Sequence, residues 1–175
     1  MIALAGFCGS GKSLLATRLA EVLPAVVIHK DTVRAAIFPS REIDHSATQD
    51  DLVMSLIYQA AAYLIHKGHS VIIDGRPFLT QSQRLELKKA AYAAGAEIRI
   101  IHCSVSEAVL KNRLQKDVHV GKHPTQNRDY DLYIRQKADF EPIEEPHLTL
   151  NTDAPIDELV RLAMDWLKTP NTYTQ

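Results

Sequence analysis

The chain has 175 residues, 46% hydrophobic and 23% charged, with a formal net charge of −1; this fits one soluble domain with a sizeable core and leaves no room for a second. A balance so close to neutral gives no overall steering toward nucleic acid or an anionic surface, and no apolar run approaches membrane-spanning length. The two cysteines, Cys8 and Cys103, have neither zinc nor redox spacing. They read as reduced thiols of a cytoplasmic protein whose first residues belong to a strand rather than a signal peptide.

Met1-Ile2-Ala3-Leu4-Ala5 is a short apolar run of the kind that forms a buried parallel strand. Gly6-Phe7-Cys8-Gly9-Ser10-Gly11-Lys12-Ser13 follows, matching the pattern of glycine, four free positions, then glycine, lysine and serine or threonine. From Ser13 to Ala20 leucines recur at helical spacing, and no proline or glycine interrupts until Pro24. Strand, glycine loop and helix in that order let backbone N–H groups converge on a phosphate at a helix N-terminus. Gly6, Cys8, Gly9, Ser10, Gly11, Lys12, Ser13 and Leu14 are therefore the expected nucleotide contacts. Lys12 is placed to reach the β- and γ-phosphates and Ser13 to hold Mg²⁺.

A second strand is expected at 25–29 and a short helix at 30–38, ended by Pro39. Residues 39–47 read as an irregular loop. An amphipathic helix from Thr48 to about Lys67 carries Leu52, Val53, Leu56, Ile57, Ala60, Tyr63 and Leu64 as its apolar stripe and stops at Gly68. The third strand, 70–74, ends in Asp74, and Gly75-Arg76-Pro77-Phe78-Leu79 is the loop beyond it. Thr80 with Gln83 forms a capping box opening a helix that ends near Gly95. The fourth strand is expected at 97–103, and Ser104 with Glu107 repeats the capping signature. Residues 116–128 lose the apolar stripe and read as part of a lid over about 111–137, with a further helix from Tyr130 to Ala138. A fifth strand at 147–151, a last helix from Ala154 and a frayed tail at 170–175 complete the chain, so 1–169 is expected to form one domain. Alternating strands and helices imply a parallel α/β sheet of about five strands with helices on both faces.

In such sheets the ligand sits beyond the carboxyl ends of the strands, which brings Asp31, Asp74, Arg76 and Cys103 to the rim that carries the glycine loop. Asp74, at the end of an apolar strand, is placed to support Mg²⁺ alongside Ser13, although an aspartate there also caps the following turn. Asp31 and Arg34 lie three apart on a helical start and face the same way. A carboxylate near a γ-phosphate can take the proton of an attacking hydroxyl, and a guanidinium can orient an anionic or polar acceptor. Arg34, Asp74 and Arg76 are the acceptor-binding candidates. Arg113 and Arg128 are the lid arginines expected to stabilise charge in transfer, with Lys116 and Lys122 behind them. Asn127-Arg128-Asp129 is the lid stretch placed to touch ligand. His29, His102, His119 and His123 form no metal-ligand spacing, and Trp166 reads as core packing.

Gly6 to Ser13, Asp31-x-x-Arg34 and Ile72-Ile73-Asp74 together resemble the small P-loop kinases, an AAA-type group of ATP-binding proteins that includes polynucleotide kinase, adenylylsulfate kinase, the zeta-toxin sugar-nucleotide kinases and the seryl-tRNA kinases. The resemblance implies the P-loop NTPase fold, ATP with Mg²⁺, Asp31 as general base and Arg34 on the acceptor. Asn151-Thr152-Asp153 is similar to the segment that passes the adenine in such kinases. It lacks the Asn-Lys-x-Asp guanine reader of switch GTPases, and Asp74-Gly75-Arg76 lacks their Asp-x-x-Gly. Gly75-Arg76-Pro77-Phe78 does not reproduce the adenylylsulfate-binding loop, which argues against that acceptor. The resulting expectation is transfer of the γ-phosphoryl group of Mg-ATP to a hydroxyl of a small molecule. A polynucleotide or tRNA kinase and a non-catalytic nucleotide-binding regulator are the alternatives. The sequence specifies no oligomeric state.

Overall fold

The computed structural model describes residues 1–120 and 129–170, with 117–120 described by their backbone. Five strands, β1 (Ile2–Ala5), β2 (Ala25–His29), β3 (Ser70–Asp74), β4 (Arg99–Ser104) and β5 (His147–Asn151), form one sheet in the order β2-β3-β1-β4-β5. Every pairing is parallel, as the alternation of strand and helix predicted. β1 and β3 lie inside the sheet and are almost wholly buried, which is why both read as continuous apolar runs. The strand order reverses beside β1, so the crevice that opens there lies next to the loop leaving β1.

Helices cover both faces. α1 (Lys12–Val22) and α7 (Ile156–Leu167) pack on one face, where Leu15, Leu19, Leu159 and Ala163 meet Leu4, Ile72, Ile101 and Leu150. α3 (Ala47–His66) and α4 (Gln81–Ala93) cover the other, where Val53, Met54, Ile57, Leu87 and Ala91 meet Ala3, Val71, Ile73 and Ile100. Burying each of the valine, leucine, isoleucine and methionine side chains stabilises the fold by about 1.5–3 kcal/mol. A third cluster, Cys8, Leu110, Leu114 and Tyr133, joins the loop after β1 to α5 (Glu107–Val120) and α6 (Tyr130–Ala138). α2 (Lys30–Ile37) follows β2 directly, and a 3-10 turn at Ser40–Glu42 leads to α3.

Four local expectations differ from what forms. The α3 stripe is rotated: Leu52, Leu56 and Tyr63 are exposed, while Gln49, Val53, Met54, Ile57 and Ala61 face the core. This helix is apolar on more than one side, so periodicity alone does not choose the buried face. β4 begins at Arg99 rather than 97 and runs on to Ser104. Ser104 therefore cannot cap α5; Ser106 does so, its hydroxyl accepting from the Val109 N–H at 3.4 Å. Helix α5 also runs on to Val120, into the stretch the sequence assigned to the lid. Both cysteines are buried and form no disulfide, and burial pushes the Cys103 thiol up to about 11. No helix among the described residues is long and apolar enough to cross a membrane.

Candidate active site

The loop 6–11 joins β1 to α1 through glycines in the left-handed half of backbone space. Gly6 has φ 134°, and a Cβ there would stand 2.5 Å from the Cys103 carbonyl oxygen. Gly11, φ 82°, is the N-cap of α1 and contributes no side-chain cap. By contrast α3, α4 and α6 are capped by Ser46, Thr80 and Asp129. The α1 N-terminus thus has no side-chain cap and turns its positive end toward the loop. Lys12 folds over the loop, its Nζ donating to the carbonyls of Gly6 at 2.8 Å and Phe7 at 2.7 Å.

The Ser13 hydroxyl donates to Asp74 Oδ2 at 2.7 Å, and His29 Nδ1 lies 2.9 Å from the same oxygen. Burial pushes the Asp74 carboxyl up, but the hydrogen bonds from His29 and Ser13 and the charge of Lys12 outweigh it, so the net shift is downward. The bond to Asp74 in turn raises His29 above its ordinary value. Asp74 Oδ1 and Ser10 Oγ are buried with no hydrogen-bond partner among the described residues. A carboxylate paired with a helix-start hydroxyl, two orphaned oxygens and an uncapped helix N-terminus suit a magnesium–nucleotide group.

Two cavities meet at Lys12. One, of about 540 Å³, is lined by Gly9, Ser10, Gly11, Ser13 and Leu14 together with Arg113, Thr152 and Ala154. The other, of about 360 Å³, is lined by Cys8, Lys30, Asp31, Arg34 and, among others, His45 and Arg135. The loop, Asp31 and Arg34 thus gather round one lysine.

Other expected residues stand elsewhere. Arg76 lines neither cavity; it turns under α3 and α4 to pair with Asp51 at 3.0 Å and Glu86 at 3.3 Å. Arg113 does not face the second cavity. Its guanidinium donates to Thr152 Oγ1 at 3.1 Å and to the Thr152 carbonyl at 2.6 Å, bracing the far end of the first. Asn151 is exposed and accepts from the Asp153 N–H at 3.1 Å, leaving Thr152 to line the cavity. Gly6 lies beneath the loop, its N–H donating to the Pro77 carbonyl at 2.9 Å. Arg34, only 2% exposed, is committed to Asp31 at 3.0 Å, to His45 Nδ1 at 2.9 Å and to Asp50. Arg128, Lys122, His123 and Asn127 lie outside the described residues, as does the side chain of His119.

Several lining residues had no sequence signal. Lys30, which donates to Asp50 at 2.8 Å, could have been noticed as the neighbour of Asp31 at the strand end. Asp44, His45 and Asp50 come from the loop and helix after α2, and Arg135 and Gln136 from α6. Gln136 Oε1 accepts the Cys8 N–H at 2.8 Å, tying α6 to the glycine loop.

Fold and site together define a phosphate-loop nucleotide-binding protein. A family model described as an AAA domain matches residues 1–143, and the chain belongs to that family. No curated protein matches the sequence significantly. Among solved structures, an APS kinase from Mycobacterium tuberculosis, in complex with AMPPNP and APS, is 20% identical with TM-score 0.72, over 96% of either chain. A sugar kinase from Janibacter sp. HTCC2649 is 19% identical with TM-score 0.72, over 95% of this chain and 92% of its own. A gluconokinase from Sinorhizobium meliloti 1021 is 22% identical with TM-score 0.68, over 95% and 90%. At these identities the likeness is one of fold, and the fold is that of the small P-loop kinases.

Proposed function

We propose that the protein is a kinase that moves the γ-phosphoryl group of Mg-ATP to a hydroxyl of a small-molecule acceptor, with Asp31 as general base. The observation that carries this reading is the meeting of two cavities at Lys12, one walled by the phosphate loop and the other by Asp31. A mononucleotide tail entering the first brings its terminal phosphoryl group to the lysine. A hydroxyl in the second then lies between that group and the carboxylate. Ser13 and Asp74 would hold Mg²⁺, which when bound supplies charge neutralisation at the phosphates.

Asp31 accepts the hydroxyl proton, and Arg34 holds the carboxylate in place from behind. Arg113 and Thr152 serve the nucleotide side. The guanidinium that faces the acceptor cavity from the lid helix is Arg135, and we assign to it the stabilisation of charge during transfer. A cavity of about 360 Å³ supports a small acceptor rather than a polymer.

The test is ATP turnover against a panel of sugars, sugar acids, nucleosides, adenylylsulfate, hydroxylated antibiotics and 5′-hydroxyl oligonucleotides. One responding class is expected. Asp31→Asn should lower kcat by about 10²–10⁴-fold while leaving ATP affinity within about twofold. ATP binding with a flat panel would instead favour a regulatory module, and full phosphotransfer by Asp31→Asn would remove the base assignment.

A further inference from the structure

From the segment between α2 and α3, Asp44 and His45 line the second cavity, and His45 brings an imidazole to its wall. His45 has φ 53°, in the left-handed region that few residues other than glycine adopt. The surrounding bonds hold it there. Gln49 Nε2 donates to the Glu42 carbonyl at 2.8 Å, the Ser46 N–H to Asp44 Oδ1 at 2.8 Å, and Ser46 caps α3.

The decisive contact is the one between Arg34 Nη1 and His45 Nδ1 at 2.9 Å. A guanidinium only donates, so Nδ1 must offer its lone pair. The ring is then neutral and carries its proton on Nε2. Burial, followed by the positive charge of Arg34, holds His45 below its ordinary value; Lys30 acts in the same sense, and Asp31 and Asp44 oppose it. Asp50, on α3, reaches Arg34 rather than the imidazole.

We propose that His45 is a specificity-determining residue of the acceptor cavity: locked by Arg34 in the Nε2–H tautomer, it donates to an oxygen of the acceptor while Asp31 takes the proton of the reacting hydroxyl. The assignment rests on the kinase reading and deepens it. The acceptor then carries a second oxygen beside the reacting one, as a sugar or polyol does. An ammonium at that position would face a donor it cannot accept from.

Two measurements test this on the full chain. Long-range ¹H–¹⁵N spectra of histidine-labelled protein need neither nucleotide nor acceptor. They should show His45 neutral with its proton on Nε2 at neutral pH, and titrating below the ordinary value of 6.5. A proton on Nδ1, or a charged ring at neutral pH, overturns the proposal whatever the protein phosphorylates. The second measurement uses His45→Asn. Asparagine tolerates the left-handed backbone and can accept from Arg34 with Oδ1, but has no donor at the Nε2 position.

With D-gluconate, D-glucose, adenosine, glycerol and water as phosphoryl acceptors, this variant should raise the acceptor KM about tenfold, the loss of one ordinary hydrogen bond, and leave the ATP KM within about twofold. His45→Ala should lose the same donor and also loosen the 39–46 segment, seen as faster amide exchange there. Unchanged acceptor KM and kcat in His45→Asn, for every compound the wild-type protein phosphorylates, overturns the proposal. Absence of all ATP turnover in the wild type overturns the kinase reading and this role with it, and leaves the tautomer to the spectra.

Discussion

Gly6 and Arg113 show how differently two residues of one site can be constrained. At Gly6 the requirement is backbone space: φ is 134° and the Cys103 carbonyl stands where a Cβ would go. Gly6→Ala is expected to destabilise the fold by about 1–3 kcal/mol, read as a lower urea midpoint at unchanged slope. At Arg113 the requirement is a planar fork, one nitrogen on the Thr152 hydroxyl and another on its carbonyl. Lysine cannot reproduce both bonds. Arg113→Lys should therefore raise the ATP KM several-fold, about 3–10-fold, with little change in kcat, in steady-state kinetics at saturating acceptor. A drop in kcat alone would return Arg113 to the transition-state role that its place in the sequence suggested. Chain position put Arg113 at the start of a lid, but the direction of its side chain depends on β5 delivering Thr152 across from it.

Among the elements, α6 carries the lid-side wall of the acceptor cavity and is held by two clasps. The first is Glu107 at the head of α5, which accepts from the Tyr130 hydroxyl at 2.5 Å, the Lys137 ammonium at 3.0 Å and the Tyr133 hydroxyl at 3.2 Å. The Tyr130 hydrogen bond, followed by those of Lys137 and Tyr133, lowers Glu107 to about 2. Glu107→Gln should leave Tm nearly unchanged, since the clasp is solvent-facing. It should nevertheless speed amide exchange in α6 and lower kcat by misplacing Arg135. The second clasp is Arg84, 2% exposed, which bonds the carbonyls of Phe78, Leu79, Glu141 and Pro142 and the carboxylate of Glu145. It fastens the return from α6 to β5 onto α4. Arg84→Met takes the donor from those four carbonyls and leaves Glu145 to Lys88 alone, 3.0 Å away, and should cost about 3–5 kcal/mol in urea unfolding. Residues 80–84 announce a helix start and nothing more; Phe78 and Leu79 are near neighbours, but Glu141, Pro142 and Glu145 sit some sixty residues away in sequence.

Across the whole molecule, stability should depend on pH in opposite directions through different histidines. His29 is raised by its bond to Asp74, so its contribution is complete below its ordinary value of 6.5 and is lost as pH climbs through the raised value. His45 and His102 are lowered, chiefly by burial. Their contributions are present above 6.5 and are lost as pH falls from there through the lowered values. Asp74, also lowered, adds a further loss as pH falls below its ordinary 3.8. Urea unfolding across the pH range should show maximal stability near neutrality, and His29→Asn should flatten the alkaline limb while leaving the acid limb in place.

Much of this molecule was legible before it folded. The glycine loop, its flanking strand and helix, Asp31-x-x-Arg34 and the strand ending in Asp74 are local patterns, because phosphate binding at a helix start needs a few consecutive residues with particular backbone freedom. Strand–helix alternation carried the sheet for the same reason: handedness and connection length leave few other arrangements. The acceptor cavity had no such signature. His45, Asp50 and Arg135 reach it from three separate elements, and Arg34 and Arg76 are turned by carboxylates, on α3 for both and α4 for Arg76, that no spacing rule places opposite them. Which charge is spent on its neighbours and which is left facing a ligand depends on distances of a few ångströms between chain segments, and only tertiary packing sets those.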